Sequence, residues 1–110
     1  DTTPLDTTDG VFFISADGDA GLDFLVEKDN TATTTEDVAT MADDTFITTT
    51  WFIDPDASKV FYSIDNAAPV GVAITNLPDD EELTVSFGIQ NGEASAQTMT
   101  IDYVVAAVER

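Results

Sequence analysis

The chain has 110 residues, with 22 acidic side chains against three basic ones and a formal charge of −19 at pH 7. That length provides one domain with a core of its own, and a hydrophobic fraction of 43% is too high for wholesale disorder. So strong a polyanion is expected to bind neither nucleic acid, whose phosphates call for Lys or Arg, nor an anionic membrane surface.

Helical periodicity is almost absent, and clustered Thr favours strands. After a polar lead from Asp1 to Gly10, the first strand is predicted at Val11-Phe12-Phe13-Ile14. A turn at Ala16-Asp17-Gly18-Asp19 leads to Leu22–Lys28, where Leu22, Phe24 and Val26 share one face. Asp29-Asn30 ends that strand, and a Thr-rich one follows from Thr33 to Met41. Asp43-Asp44 marks a turn before a strand at Thr45–Ile53, which carries the only Trp, Trp51. Asp54-Pro55-Asp56-Ala57-Ser58 has turn chemistry, with Pro at its second position.

Lys59–Asp65 alternates Val60, Tyr62 and Ile64 against Phe61 and Ser63. With the turn Asp65-Asn66 and the run Pro69–Ala73 it predicts a hairpin, whose second strand is an edge or starts late because Pro69 has no N–H. Leu77–Glu82 is a solvated loop. Leu83, Val85, Phe87 and Ile89 alternate strictly and are expected to face inward. A turn at Asn91-Gly92-Glu93 precedes a last strand, Thr98–Ala107, with Met99, Ile101, Tyr103 and Val105 on one face. Val104–Val108 is kept extended because it continues that alternation. Roughly seven or eight strands, with turn signals about every 8–12 residues, define an all-β, antiparallel β-sandwich or jelly roll in a single domain over 1–110.

No apolar run reaches the roughly 18 residues of a membrane span. No secretory signal peptide opens the sequence, and Asp1 in place of Met is expected of a processed or partial chain. The absence of Cys and His rules out disulfides, zinc fingers and every Ser-His-Asp or Cys-His arrangement.

The most metal-like stretch is Asp17-Gly18-Asp19-Ala20-Gly21-Leu22-Asp23, whose carboxylates Asp17, Asp19 and Asp23 are candidate calcium ligands. An EF-hand loop is not matched, because Gly21 takes a ligand position and Lys28 stands where the bidentate Glu belongs. A solvated acidic turn is the plainer account. Asp79-Asp80-Glu81-Glu82 likewise reads as a solvated loop, and Asp54 and Asp56 as turn residues. Sandwich glycosidases carry Glu-x-Asp-x-Glu. Here Glu27-Lys28-Asp29-Asn30-Thr31 has Thr31 in place of the third acid, so no catalytic residues are assigned and the chain is not expected to be an enzyme. No cofactor other than calcium is implied. Trp51, Phe52 and Tyr62 are candidates for an interface or for stacking on a glycan, although aromatics of alternating strands are more often core. Adjacent pairs such as Phe12 with Phe13 and Trp51 with Phe52 place apolar groups on both strand faces, which favours an interface.

Several runs carry a resemblance. They are Val60-Phe61-Tyr62-Ser63-Ile64-Asp65-Asn66, Thr75-Asn76-Leu77-Pro78, Phe87-Gly88-Ile89-Gln90 and Ile101-Asp102-Tyr103, with Gly10-Val11-Phe12-Phe13 and Phe24-Leu25-Val26-Glu27-Lys28 upstream. Together the chain resembles concanavalin-A-like (laminin-G-like) jelly-roll domains of structural proteins in tailed bacteriophages. Asn66 departs from the family's usual Gly, though Asn tolerates the same left-handed turn position. Domains of that family run longer, which implies further strands upstream of Asp1, this chain being the C-terminal portion. The resemblance implies a virion structural protein, either a capsid decoration (cement) protein on the outer surface of a head or a head or tail fibre domain. Its partners would be the major capsid protein or other virion subunits and further copies of itself, with a trimer suited to threefold positions. Its place would be the capsid surface, extracellular once assembled. A carbohydrate-binding module, calcium-dependent or not, on a tail fibre or cell surface is the alternative.

Overall fold

Leu22, Phe24 and Val26 alternate with Asp23, Leu25 and Glu27, and a strand with that pattern buries one face. The computed structural model, which describes residues 7–90, 94 and 96–108, places all three in the core. The strands are β1 (Gly10–Ile14), β2 (Gly21–Lys28), β3 (Thr31–Thr40), β4 (Thr49–Asp54), β5 (Lys59–Ile64) and β6 (Val70–Ala73). They form two antiparallel three-stranded sheets, β1-β2-β3 and β4-β5-β6. No helix occurs among the described residues. Spatial order follows chain order in both sheets, so the described strands make two meanders.

Turn chemistry explains the register. Asp29 and Asn30 both have positive φ, 50° and 59°, and form the two-residue loop between Lys28 and its partner Thr31. That is the primed geometry whose twist matches the strands it joins. Asp65 and Asn66 repeat it at φ 51° and 59°, with the Ala67 N–H donating to the Ile64 carbonyl at 2.9 Å. Six of the seven non-glycine residues with positive φ are Asp or Asn. Four of the 22 acids, Asp29, Asp37, Asp44 and Asp65, therefore lie where short polar side chains relieve a left-handed backbone.

The predicted hairpin of β5 and β6 forms, with Tyr62 paired to Val70 and Val60 to Val72, one residue beyond the register that the Asp65-Asn66 turn alone would set. β6 starts one residue after Pro69 and lies at the sheet's edge, as a residue without an N–H requires. Asp37, at φ 55°, marks a bulge where β3 shifts register against β2. Its N–H donates to Asp23 Oδ1 at 2.9 Å, and its own carboxylate closes over Gly21, where a Cβ would collide with it.

The sheets meet through Phe24, Val26, Val60, Tyr62 and Val72. The Phe24 ring lies 4.9 Å from both Phe13 and Tyr62, so one aromatic column crosses from sheet to sheet. Val11, Phe13, Val38, Ile64 and Leu77 pack around it. Ser63, on the outer face, is buried, and its hydroxyl is satisfied by donating to the Ala67 carbonyl at 2.7 Å. Two polar contacts fasten the segment after β6 to the first sheet. Asn76 Nδ2 donates to Thr33 Oγ1 at 3.0 Å, and Lys28 Nζ pairs with Asp79 Oδ1.

Three expectations are corrected. Residues 45–48 precede β4 instead of belonging to it; Thr48 is pinned at its backbone by Asp65, through its N–H to Asp65 Oδ1 and its carbonyl to the Asp65 N–H. Leu83–Ile89 forms no strand, and Leu83, Val85, Phe87 and Ile89 are exposed instead of inward. Thr98–Ala107 is also irregular, with Met99, Ile101, Tyr103 and Val105 exposed. The physical reason is common to both: alternation makes a strand only where another strand supplies backbone partners. The turn predicted at 91–93 lies outside the described residues.

Candidate functional site

The acidic loop between β1 and β2 is held by its own backbone. Asp19 N–H donates to the Ala16 carbonyl at 3.1 Å, and Asp19 Oδ1 accepts from Gly21 N–H at 2.8 Å. Ser15 Oγ donates to the Asp19 carbonyl at 2.8 Å. Asp23 sits on β2, its carboxylate engaged by the Asp37 N–H. Asp17, Asp19 and Asp23 are therefore not drawn into one ligand set, and among the described residues no three acids group to hold a metal ion. Asp54 Oδ1 accepts from Ala57 N–H at 3.0 Å, the local turn bond expected of it. Asp29 occupies the exposed β2–β3 turn, and its N–H donates to Asp9 Oδ1 at 2.9 Å.

That bond, followed by one from the Thr8 hydroxyl, holds the Asp9 carboxyl below its ordinary range. Asp79 is lowered by its hydrogen bond from Lys28, and Lys28 is raised by the same bond. Asp79 ionises at lower pH folded than unfolded. Its share of the pairing is complete above the unfolded carboxyl range and is lost as pH falls through the folded value. Lys28 behaves conversely: its share is complete below the unfolded lysine range and is lost as pH rises through the raised value. Lys28→Met is expected to move the Asp79 titration back upward by NMR, with little change in melting because the pair faces water. The charge pattern of Asp79–Glu82 hid this tether, since its partner lies on a distant strand.

The aromatic candidates divide. Tyr62 is core, 8% exposed, with Phe24 against it at 4.9 Å and Phe13 edge-on at 6.5 Å, so its faces are not open to a ligand. Phe52 stacks on Phe61 across the β4–β5 pair, with centroids 5.2 Å apart and planes 16° apart, on the face opposite the core. Trp51 is paired with Tyr62 and Ile53 with Val60, so both lie on the core-facing side. Yet Trp51, Phe52 and Ile53 are all substantially exposed. The feature the structure brings forward is therefore an apolar edge strand, β4, whose outer side carries no strand among the described residues. Sequence reasoning found the aromatic residues there and missed that their strand is the end of its sheet.

The exposed surface is large for the chain. A folded chain of 11.7 kDa has about 5,900 Å² of accessible surface by size scaling. This one exposes 8262 Å². Large apolar side chains are exposed along β4 and among the described residues between 83 and 108. Comparison with protein-family models, curated proteins and solved structures gives no match to this chain. The class defined by the coordinates is an all-β protein of two antiparallel three-stranded sheets packed as a sandwich.

Proposed function

We propose that this chain is a virion structural protein, a capsid decoration (cement) protein on the outer surface of a bacteriophage head. The observation that carries the reading is the contrast within its surface. A charge of −19 favours solubility of the body, while an aromatic edge strand and the apolar face of an alternating segment lie exposed. Exposed apolar side chains on an edge strand and along a second segment suit a subunit built for assembly. The sequence resemblance to phage jelly-roll domains supports the same role.

The action is passive. The sandwich buries its apolar strip against the major capsid protein, other virion subunits or further copies of itself, a trimer suiting threefold positions, and leaves its acidic turns in water. No catalytic step or resident cofactor is part of the reading, and the protein would be extracellular on assembled particles. Mass spectrometry of purified particles is expected to find many copies per virion; particles lacking it would reject the reading.

The exposure of Trp51 and Phe52 favours one second reading, a carbohydrate-binding module on a tail fibre or cell surface. It predicts selective glycan-array binding lost in Trp51→Ala, and loss with EDTA if calcium takes part. A flat array response removes it.

A further inference from the structure

The core side of the second sheet is covered unevenly. Val60, Tyr62 and Val72 are buried, but one strand further out Trp51 is 38% and Ile53 41% exposed on the same face. β4 is the end of the sheet, so among the described residues the backbone groups on its outer side have no ladder, and the core is open along that flank. An edge strand with an apolar inner face is a template for one more strand.

The chain contains a segment with the matching pattern. Leu83, Val85, Phe87 and Ile89 recur at every second residue and are 46%, 58%, 57% and 53% exposed. Thr84, Ser86, Gly88 and Gln90 lie between them, so one face is apolar and the other small or polar. No strand pairing includes these residues. Charge also fits. In a chain with 22 acids, residues 83–90 carry none, and neither do residues 45–53, which contain most of β4. The two strips can approach without the repulsion that governs the rest of the surface.

In its own chain the segment leaves the sheet from β6, the edge opposite β4, and is tethered at Asp79 to Lys28 of the other sheet. We infer that residues 83–89 of one copy add as a strand to the β4 edge of a second copy. Their apolar side chains then cover Trp51 and Ile53, and the main-chain groups of both strands pair. Each copy gives one strand and receives one, a head-to-tail exchange that closes as a small symmetric oligomer where its rotation permits. This inference does not rest on the virion reading. An oligomer absent from particles would sink that reading alone, and a monomer found on particles would sink this one alone.

Sedimentation of the purified chain across concentration, at about 0.1 M and 1 M salt, is the test. A closed dimer or trimer is expected, tighter at high salt because the charge of −19 per copy is then screened. Phe87→Asp is expected to weaken association by roughly 100-fold or more, since it places an unpaired carboxylate in the new core. Its monomer should keep the parent's circular dichroism and melting, because Phe87 is exposed there.

The cysteine-free chain also allows a direct reading of the contact. Thr50 and Ser86 lie on the outward faces of their strands in the proposed pairing, so mass-labelled Thr50→Cys copies mixed with Thr84→Cys, Ser86→Cys or Gly88→Cys copies should form mixed disulfides on oxidation. A monomer at every concentration and salt overturns the inference. So does an oligomer indifferent to Phe87→Asp, or a Thr50→Cys/Ser86→Cys double variant that cross-links only within its own chain.

Discussion

Phe24→Ala is expected to cost about 3–5 kcal/mol of folding stability, the range for removing a fully buried aromatic ring. Phe24 has no exposed surface and lies between Phe13 of its own sheet and Tyr62 of the other. Truncation removes transfer energy and leaves a cavity in the aromatic column that joins the sheets. Stabilities of single domains are only about 5–15 kcal/mol, so the variant should be largely unfolded if the parent lies near the lower end. Urea denaturation followed by tyrosine and tryptophan fluorescence measures the change. Phe46→Ala is the control: that ring is 67% exposed, and its loss should alter stability by less than about 0.5 kcal/mol. Equal effects at the two positions would mean that the column does not hold the sheets together.

Val60→Asp is expected to do more harm, by at least about 4 kcal/mol at pH 7. Val60 has no exposed surface and is flanked in register by Ile53 and Val72, so a carboxylate there would have apolar neighbours on both sides. The pH dependence follows from linkage. Burial raises the new carboxyl's folded pKa above its unfolded value, so the penalty is full above the folded value and shrinks as pH falls to the unfolded one. Val60→Asn has nearly the same shape and no titration. The two variants should differ greatly at pH 7 and converge towards about pH 4. Parallel stability profiles would show that position 60 is hydrated.

The first two thirds of the fold were legible because its signals are local. Leu22, Phe24 and Val26 on one face, and Val60 and Tyr62 on one face, reach the core in the pattern their spacing dictates. Asp29-Asn30 and Asp65-Asn66 close hairpins because short polar residues tolerate the left-handed backbone required there. Even the edge position of β6 was carried by a single residue, Pro69. The last third was misread because strandness is not a property of one segment. Residues 83–89 have a stronger alternation than β4, yet β4 pairs with β5 and residues 83–89 join no strand pairing among the described residues.

The same logic applies to the candidate site. Trp51 and Phe52 were visible as aromatics, but their exposure depends on β4 being the end of a sheet, a fact of topology. Tyr62 has a similar sequence context and lies in the core because it is on the central strand. The acidic turn at Asp17–Asp23 offered carboxylates at metal-like spacing. In the fold, Asp19 accepts from Gly21 N–H within the loop and Asp23 from Asp37 N–H on the neighbouring strand, contacts that spacing alone does not show.

The central claim is that residues 10–73 build the two stacked sheets and that residues 83–90 add no strand to them within one chain. Amide hydrogen exchange by NMR, at a concentration and salt where the chain is monomeric, tests it most directly. Slow exchange is expected in the central strands β2 and β5, with Phe24, Val26, Val60 and Tyr62 among the best protected, and near-intrinsic exchange at Val85, Phe87 and Ile89. Strong protection at those last three amides in the monomer would contradict the account.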